Sequence, residues 1–268
     1  MAAGPLMPIN NVSPSAGDFA TASAPMLPPA PVRFSTTKGW PSDTWSFDAS
    51  VLPTMSGVDL QPISLLASAP QMLVVTPSVQ ASGFKEFVSF LKRNPGRLSY
   101  GSPGSGSAAH LTMELFKSDA GVFIVHIPYR GFPPAVTDLL AGSIQAMFAI
   151  IPAVLPQVRA GKLKALAVTG LRRSSQAPDV PSVAELGYPQ LESLAWIGLL
   201  VPAGTPAEVV NRLHAEGAKV MRAPDTRDVL GKQGFDVVGN SPAEFSAWIR
   251  AEQVKWSKVI RSSGATAD

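Results

Sequence analysis

The sequence predicts an α/β protein in which helices cover a largely parallel sheet. Short apolar runs with strand character alternate along the chain with segments whose apolar residues repeat at helical spacing. Residues 71–76 give the first such run, and the apolar positions 84, 87, 88 and 91 give the first such helix. Several of the runs are apolar at every position, which is typical of strands buried on both faces.

The predicted elements follow one another without an internal repeat. The predicted strands cover residues 71–76, 98–100, 122–127, 143–148, 163–169, 194–201 and 235–238. The predicted helices cover residues 84–91, 108–116, 134–140, 153–159, 207–221 and 226–233, and a last helix follows residue 241. Ser82 is expected to cap the first helix, and Ser241 with Glu244 forms a capping box at the last one.

The size and composition of the chain set the broad class. A chain of 268 residues, with 46% hydrophobic and 15% charged residues, can bury a sizeable core or two moderate ones. Its longest apolar segment, residues 146–155, is interrupted by Pro152 and stays below the roughly 18 residues that a membrane helix needs. The sequence therefore predicts a globular protein of one or two domains.

Several kinds of chemistry are excluded by the residues themselves. The net charge is only +3, and the basic residues are scattered, so nucleic acid is not an expected partner. The chain has no cysteine, and its three histidines lack metal-ligand spacing. We therefore expect no metal site and no cofactor.

Residues 1–58 differ in composition from the rest of the chain. They hold nine of the 26 prolines, and runs such as residues 24–31 cannot sustain a helix or a central strand. We expect this segment to be irregular. No basic residue precedes Arg33, and prolines interrupt the start, so a signal peptide is not recognisable and export is doubtful for the sequence as written.

The loop at residues 101–107 is the strongest candidate site. It joins a predicted strand to a predicted helix, the position at which α/β proteins bind ligands with free backbone N–H groups. Its glycines permit close approach and its serines add hydroxyl donors, which suits a carboxylate. The candidate residues are Ser102, Gly104, Ser105, Gly106 and Ser107.

Other uses of this loop are not supported by its sequence. Ser107 and Ala108 stand where a nucleotide-hydrolase phosphate loop requires Lys and Ser or Thr, and the G-x-G-x-x-G and G-x-S-x-G patterns are absent. A flexible connection without a ligand remains an equally good reading of the loop by itself.

A second loop is expected on the same rim. Tyr129, Arg130 and Gly131 follow the next predicted strand, and the ends of parallel strands meet at one edge. His110, on the first turn of the helix that follows the glycine loop, either binds a carboxylate or caps its own helix. Arg130 is either a carboxylate clamp or a solvated surface residue, and Asp138 is expected to be a solvated helix residue.

The chain also resembles a known family. The segments that carry the resemblance are QPISLL at 61–66, PYRG at 128–131, DLLAG at 138–142, GKLKALAVT at 161–169 and PAGTP at 202–206. They resemble the tripartite tricarboxylate transporter solute-binding proteins, also called Bug receptors. The match runs in order from about residue 49 to residue 268.

This resemblance implies a two-lobe, type II periplasmic binding protein that closes on a small organic acid and catalyses no reaction. It implies membrane subunits of a tripartite tricarboxylate-type transporter as partners, a monomer, and a periplasmic location. The implied lobes are residues 59–102 with 196–268, and residues 103–195. The implied ligand-binding residues are Ser102, Gly104, Ser105, Gly106, Ser107, His110, Tyr129, Gly131 and Phe148.

Two departures from the family pattern bear on these expectations. Ala149 follows Phe148 where the family commonly has Asp, and residues 1–48 contain no counterpart of the family's opening strand and proline-glycine loop. The first lobe is therefore expected to be incomplete. Two alternatives stay open: a truncated or frame-shifted family member that binds nothing, and an α/β enzyme that uses Ser105 or Ser107 as nucleophile.

Overall fold

The computed structural model describes residues 60–265. The strands are β1 Leu60–Val75, β2 Ser99–Ser102, β3 Val125–Pro128, β4 Ala146–Ile150, β5 Lys164–Val168, β6 Leu194–Pro202 and β7 Asp236–Val237. The helices are α1 Phe84–Arg93, α2 Ala108–Ala120, α3 Phe132–Ala141, α4 Ile151–Arg159, α5 Ala207–Arg222, α6 Pro224–Lys232 and α7 Pro242–Ser263. None of the helices within residues 60–265 has the length and apolarity required to cross a membrane. The predicted irregular segment 1–58 lies outside the described residues.

Strand β1 joins two groups of strands. Its first part pairs with β6 from Leu60 to Pro70 and with β7 at Ala67 and Ser68. Its last residues, from Gln71 to Val75, pair with β4 and β5. The sequence predicted only residues 71–76 as a strand, so the first part of β1 was missed.

The sheet is mixed rather than largely parallel. Strand β2 is parallel to β3 and β4, as predicted, whereas β1 is antiparallel to each of its four partners. Apolar runs show that a strand is buried but do not show its direction, which explains the difference.

Two apolar cores cover the two faces of the strands around β1. Leu73 and Val75 contribute to one core, which contains Phe84 and Phe87 of α1 and Phe116 of α2. Met72 and Val74 contribute to the other, which includes residues of α3 and α4. Neighbouring side chains of a strand point to opposite faces. Because a core covers each face, all four of these side chains are fully buried. This confirms the prediction of strands buried on both faces.

The predicted lobe boundaries remain a prediction, and the strand pairing favours a different position for one of them. Residues 59–102 were assigned to the first lobe, yet β2 pairs with β3 and β4, which belong to the predicted second lobe. The change of partners along β1 falls between Pro70 and Gln71. Pairing therefore favours a boundary there rather than after residue 102.

The first helix begins differently from the prediction. Gly83, not Ser82, is the N-cap of α1, and it offers no side-chain cap. The backbone N–H and the hydroxyl of Ser82 instead donate to Glu86 Oε2, at 2.9 and 2.7 Å. The prediction of a Ser82 cap is wrong because Ser82 lies one residue before the N-cap, and its side chain donates to Glu86 instead of accepting from the first helical turn.

The capping box of α7 is confirmed. Ser241 Oγ accepts from the backbone N–H of Glu244, and Glu244 Oε2 accepts from the backbone N–H of Ser241 at 2.8 Å. The helix buries Phe245, Ile249 and Trp256. A short local signal thus fixes the start of a 22-residue helix that packs on β1 and α2.

Replacing Ser241 by Ala should lower the free energy of unfolding by about 1 kcal/mol, because the first turn loses an acceptor for an N–H group. Urea denaturation monitored by circular dichroism measures this. Ser257→Ala, at an exposed position inside the same helix, is the matched control and should cost nothing. Equal losses in the two variants would contradict the capping role.

Candidate functional site

Two loops leave the same edge of the sheet at the ends of β2 and β3. Ser102 lies opposite Pro128 in the parallel register, so loop 103–107 and loop 129–131 start side by side. The N–H of Tyr129 donates to the carbonyl of Ser102 at 2.9 Å, and the N–H of Gly131 donates to the carbonyl of Pro103 at 3.0 Å. Backbone hydrogen bonds therefore hold the two candidate loops together.

The serine hydroxyls at both ends of the glycine loop are used within it. Ser102, which is fully buried, donates from Oγ to the carbonyl of Gly104 at 2.9 Å. Ser107 Oγ donates to the same carbonyl at 2.7 Å and accepts from the N–H of His110, as the N-cap of α2. These two hydroxyls shape the loop, and their predicted contact with a ligand stays a prediction.

The backbone of α2 offers donors at this edge. The amides of Ala108 and Ala109 lie in the first helical turn, where no acceptor exists within the helix. The partial positive charge of the helix N-terminus adds to their attraction for an anion. Ser105 is partly exposed at the tip of the loop, and Arg130 is exposed in the neighbouring loop.

A polar cluster adjoins the glycine loop, and within it Tyr100, His110 and Glu114 are buried whereas His126 and Lys117 are half-buried. The rings of His110 and His126 stack with centroids 3.9 Å apart, and Tyr100 stacks on His126 at 4.8 Å. Glu114 Oε1 accepts from Tyr100 Oη at 2.6 Å and pairs with Lys117 Nζ at 2.7 Å. Burial, together with the contact to Glu114, raises the pKa of Tyr100, so its hydroxyl stays protonated.

Sequence reasoning found only His110 of this cluster. The sequence assigns neither His126 nor Glu114 to the site. The signal that was available is a charged residue on the buried face of a predicted helix: Glu114 follows His110 by four positions, which places both on one side of α2.

Tyr129 is held by Asp138. Its hydroxyl donates to Asp138 Oδ2 at 2.7 Å, so the reading of Asp138 as a merely solvated helix residue is wrong. Partial burial and this carboxylate raise the pKa of Tyr129 from 10.0 to about 12. The phenol therefore remains a neutral hydrogen-bonding group throughout the physiological range.

Asp138→Asn should lower the pKa of Tyr129 toward 10.0, because the negative charge beside the phenol is removed. A raised pKa means that the stabilisation by neutral Tyr129 is complete below pH 10.0 and is lost as the pH rises through about 12. In the variant this loss should occur at lower pH. An ultraviolet titration of tyrosinate measures the pH at which Tyr129 ionises. The Tyr129→Phe variant identifies the part of the signal that belongs to Tyr129. An unchanged midpoint in Asp138→Asn would contradict this explanation.

One predicted ligand residue is not brought to the loops. Phe148 is 1% exposed and packs edge-on against Phe116, with ring centroids 6.4 Å apart. It lies on β4 with its ring in the core shared with α1 and α2. The structure places Gly104, Ser105, Gly106, Ser107 and the loop of Tyr129 and Gly131 together, but it places Phe148 below them as a core residue.

The described residues show no arrangement typical of catalysis at this edge. Ser102 Oγ lies 2.7 Å from His126 Nε2, but the serine is fully buried and its proton is directed to Gly104. Between residues 60 and 265 there is no group of three or more His, Asp or Glu placed to hold a metal ion.

A known receptor family covers most of the chain. The family described as tripartite tricarboxylate transporter family receptor matches residues 12–265, beginning well before residue 49, where the resemblance was expected to start. The chain belongs to this receptor family. The predicted membership is therefore confirmed, and receptors of this family bind solutes rather than transform them.

Individual relatives agree with the family assignment. A UPF0065 protein from the tcbD-tcbE intergenic region of a Pseudomonas species is 37% identical over 210 residues, which are 78% of this chain and 62% of the relative. The protein BugT of Bordetella pertussis is 34% identical over 207 residues, which are 77% of this chain and 64% of BugT. This receptor-family chain thus spans less than two thirds of the length of these relatives.

Solved structures confirm the fold class. A periplasmic transporter protein has a TM-score of 0.68 at 38% identity, covering 79% of this chain and 70% of its own. A Rhodopseudomonas palustris protein solved with adipate has a TM-score of 0.68 at 32% identity, covering 78% and 70%. MatC from the same species, solved with bound malate, has a TM-score of 0.65 at 27% identity, covering 75% and 69%. The chain has the mixed α/β fold of periplasmic binding proteins.

Proposed function

We propose that this protein is a solute-binding receptor that captures a small organic anion, a carboxylate or a related solute, for a transporter of the tripartite tricarboxylate type. The observation that carries the proposal is the pair of adjoining loops at the ends of β2 and β3, in a chain of this receptor family. The ligand residues we propose are Ser102, Gly104, Ser105, Gly106 and Ser107 of the first loop and Tyr129 and Gly131 of the second, with His110 supporting the first loop.

The electrostatics of the loops favour an anion. Residues 101–110 and 128–131 contain no Asp or Glu, and the amides at the start of α2 point outward from a helix N-terminus. Arg130 adds an exposed positive charge at the same edge. Two structural relatives were solved with the dicarboxylates adipate and malate, which supports a carboxylate as the ligand here.

We further propose that the receptor works in the periplasm as a monomer, delivers its solute to membrane subunits of the transporter, and closes its two lobes on the ligand. The chain crosses between its two groups of strands at β1 and again before β6. Two such crossings are an arrangement that permits hinge closure.

The test is calorimetric titration of the full chain with adipate and malate, beside 1,6-diaminohexane, a chain of six carbons that carries amines instead of carboxylates. We expect binding of at least one carboxylate, no binding of the diamine, and compaction in solution scattering when the carboxylate is present. If a panel of dicarboxylates, tricarboxylates and aromatic acids gives neither heat nor thermal stabilisation, the proposal is wrong.

A pair of variants connects binding to the loops. Gly131 and Gly142 flank α3, with φ of 104° and 82°, so alanine is strained at both positions. Gly131→Ala should weaken carboxylate binding by about tenfold or more, because it distorts the second loop. Gly142→Ala, at the far end of the same helix, should also destabilise the protein but leave the affinity unchanged. Equal affinities in the two variants would place the ligand elsewhere.

A further inference from the structure

Two stacked histidines each hold one end of the glycine loop. His126 on β3 contacts Ser102 Oγ through Nε2 at 2.7 Å, where the loop begins. His110 on α2 accepts the backbone N–H of Gly106 through Nδ1 at 3.0 Å, where the loop ends. Their rings lie 3.9 Å apart and 7° from parallel, so they form one support beneath the loop.

These contacts define the protonation of His110. A backbone N–H can only donate, so Nδ1 of His110 must be the acceptor and carries no proton. The ring is then neutral, with its proton on Nε2, which faces Glu114 Oε1 at 3.8 Å. Since His110 is 6% exposed, water does not readily replace this acceptor if it is lost.

We propose that His110 is a positioning residue of the binding site: its neutral imidazole fixes the Gly106 amide and thereby the loop that receives the carboxylate. This inference rests on the proposed function and revises the predicted role of His110. The ring acts on the ligand through the backbone of Gly106, because its Nδ1 is already occupied by the loop itself. A loop fixed before binding loses less conformational entropy when the ligand arrives.

The same contact makes the loop sensitive to protonation. A proton on Nδ1 would turn this atom into a donor that faces the N–H of Gly106, and the hydrogen bond to Gly106 would be lost. Within residues 60–265, the groups that face His110 include Glu114 on its own helix, with Lys117 paired to that carboxylate, His126 from β3 and Tyr100 from β2. Glu114 favours the imidazolium form, whereas Lys117 and a charged His126 oppose it. Affinity for a carboxylate should therefore fall as His110 takes up a proton.

The test compares His110→Asn with His110→Leu, two side chains of nearly equal size. Asn offers Oδ1 as an acceptor near the position of Nδ1 and does not titrate, whereas Leu offers no acceptor. With adipate and malate as probes at neutral pH, we expect Leu to weaken binding by about tenfold or more and Asn to stay within about threefold of the unchanged protein. Thermal unfolding of both variants identifies any loss that comes from folding alone.

The pH profile separates positioning from simple packing. The affinity of the unchanged protein should fall with decreasing pH as His110 takes up a proton, whereas His110→Asn should lack this part of the pH dependence. His126 and His214 are present in both proteins, so the difference reports on position 110. Identical pH profiles, or full affinity in His110→Leu, would overturn the inference.

A measurement without ligand keeps the inference distinct from the proposed function. Nitrogen-15 NMR should show Nδ1 of His110 unprotonated at neutral pH, and the amide shift of Gly106 should change with pH together with this ring. If neither adipate nor malate binds to the unchanged protein, the proposed function fails for these acids. The NMR measurement still decides whether His110 holds the Gly106 amide. A protonated Nδ1 at neutral pH would overturn the inference.

Discussion

Replacing Phe245 by Ala should lower the free energy of unfolding by about 3–5 kcal/mol, one of the two largest losses that we expect from a single side chain. Phe245 is fully buried and packs edge-on against Trp196, with ring centroids 5.9 Å apart. Its ring also lies directly on the backbone of β6: a Cβ built on Gly198 would stand 2.4 Å from Phe245 Cζ. The cavity left by alanine is therefore walled by a strand and cannot collapse readily.

Urea denaturation of Phe245→Ala measures this loss. Val254→Ala is the matched control, because Val254 lies on the same helix with 74% of its surface exposed and should change stability by no more than about 0.5 kcal/mol. A loss below about 1 kcal/mol in Phe245→Ala would show that α7 does not hold β1 and β6 together.

The second large effect is expected at Thr169, where the chain passes between its two groups of strands. Thr169 Oγ1 accepts the N–H of Gln71 at 2.8 Å and donates to the carbonyl of Ser193. Gln71 Nε2 in turn donates to Thr112 Oγ1 at 2.8 Å. All four residues are at most 2% exposed, so this network has no access to bulk water.

Thr169→Val keeps the shape of the side chain but removes the hydroxyl, leaving the Gln71 N–H and the Ser193 carbonyl without this partner. At about 1–3 kcal/mol for each of the two buried groups, we expect a loss of about 2–6 kcal/mol. Thr169→Ser, which keeps the hydroxyl and loses a methyl group, should cost about 1 kcal/mol. Thermal and urea unfolding compare the two. A serine variant as unstable as the valine variant would assign the effect to packing instead.

The elements that could be predicted are those with a local signal. Ser241 and Glu244 stand three residues apart and satisfy each other's backbone donors, so the start of α7 is encoded in four residues. The glycine loop was located for the same reason, since a strand, a run of glycines and serines, and a helix follow one another directly.

The elements that were missed depend on partners distant in sequence. The first part of β1 contains Pro62 and Pro70, which argue against a strand, yet it pairs with β6 through register shifts on both sides of residues 64–65. His126 became part of the site only because parallel pairing places Tyr100 beside it and α2 above it. The Tyr129–Asp138 bond likewise requires α3 to fold back on its own loop.

The long strand β1 has a consequence for the order of folding. Its first residue, Leu60, pairs with Pro202, and its last, Val75, pairs with Ala146 and Lys164. During synthesis from the N-terminus, the second half of β1 can pair only after β4, which begins at Ala146, has been made. The first half can pair only after β6, which begins at Leu194, has been made. Contacts of such sequence separation form slowly, and the apolar strand stays exposed to other chains in the meantime. We expect refolding yield to fall steeply with protein concentration.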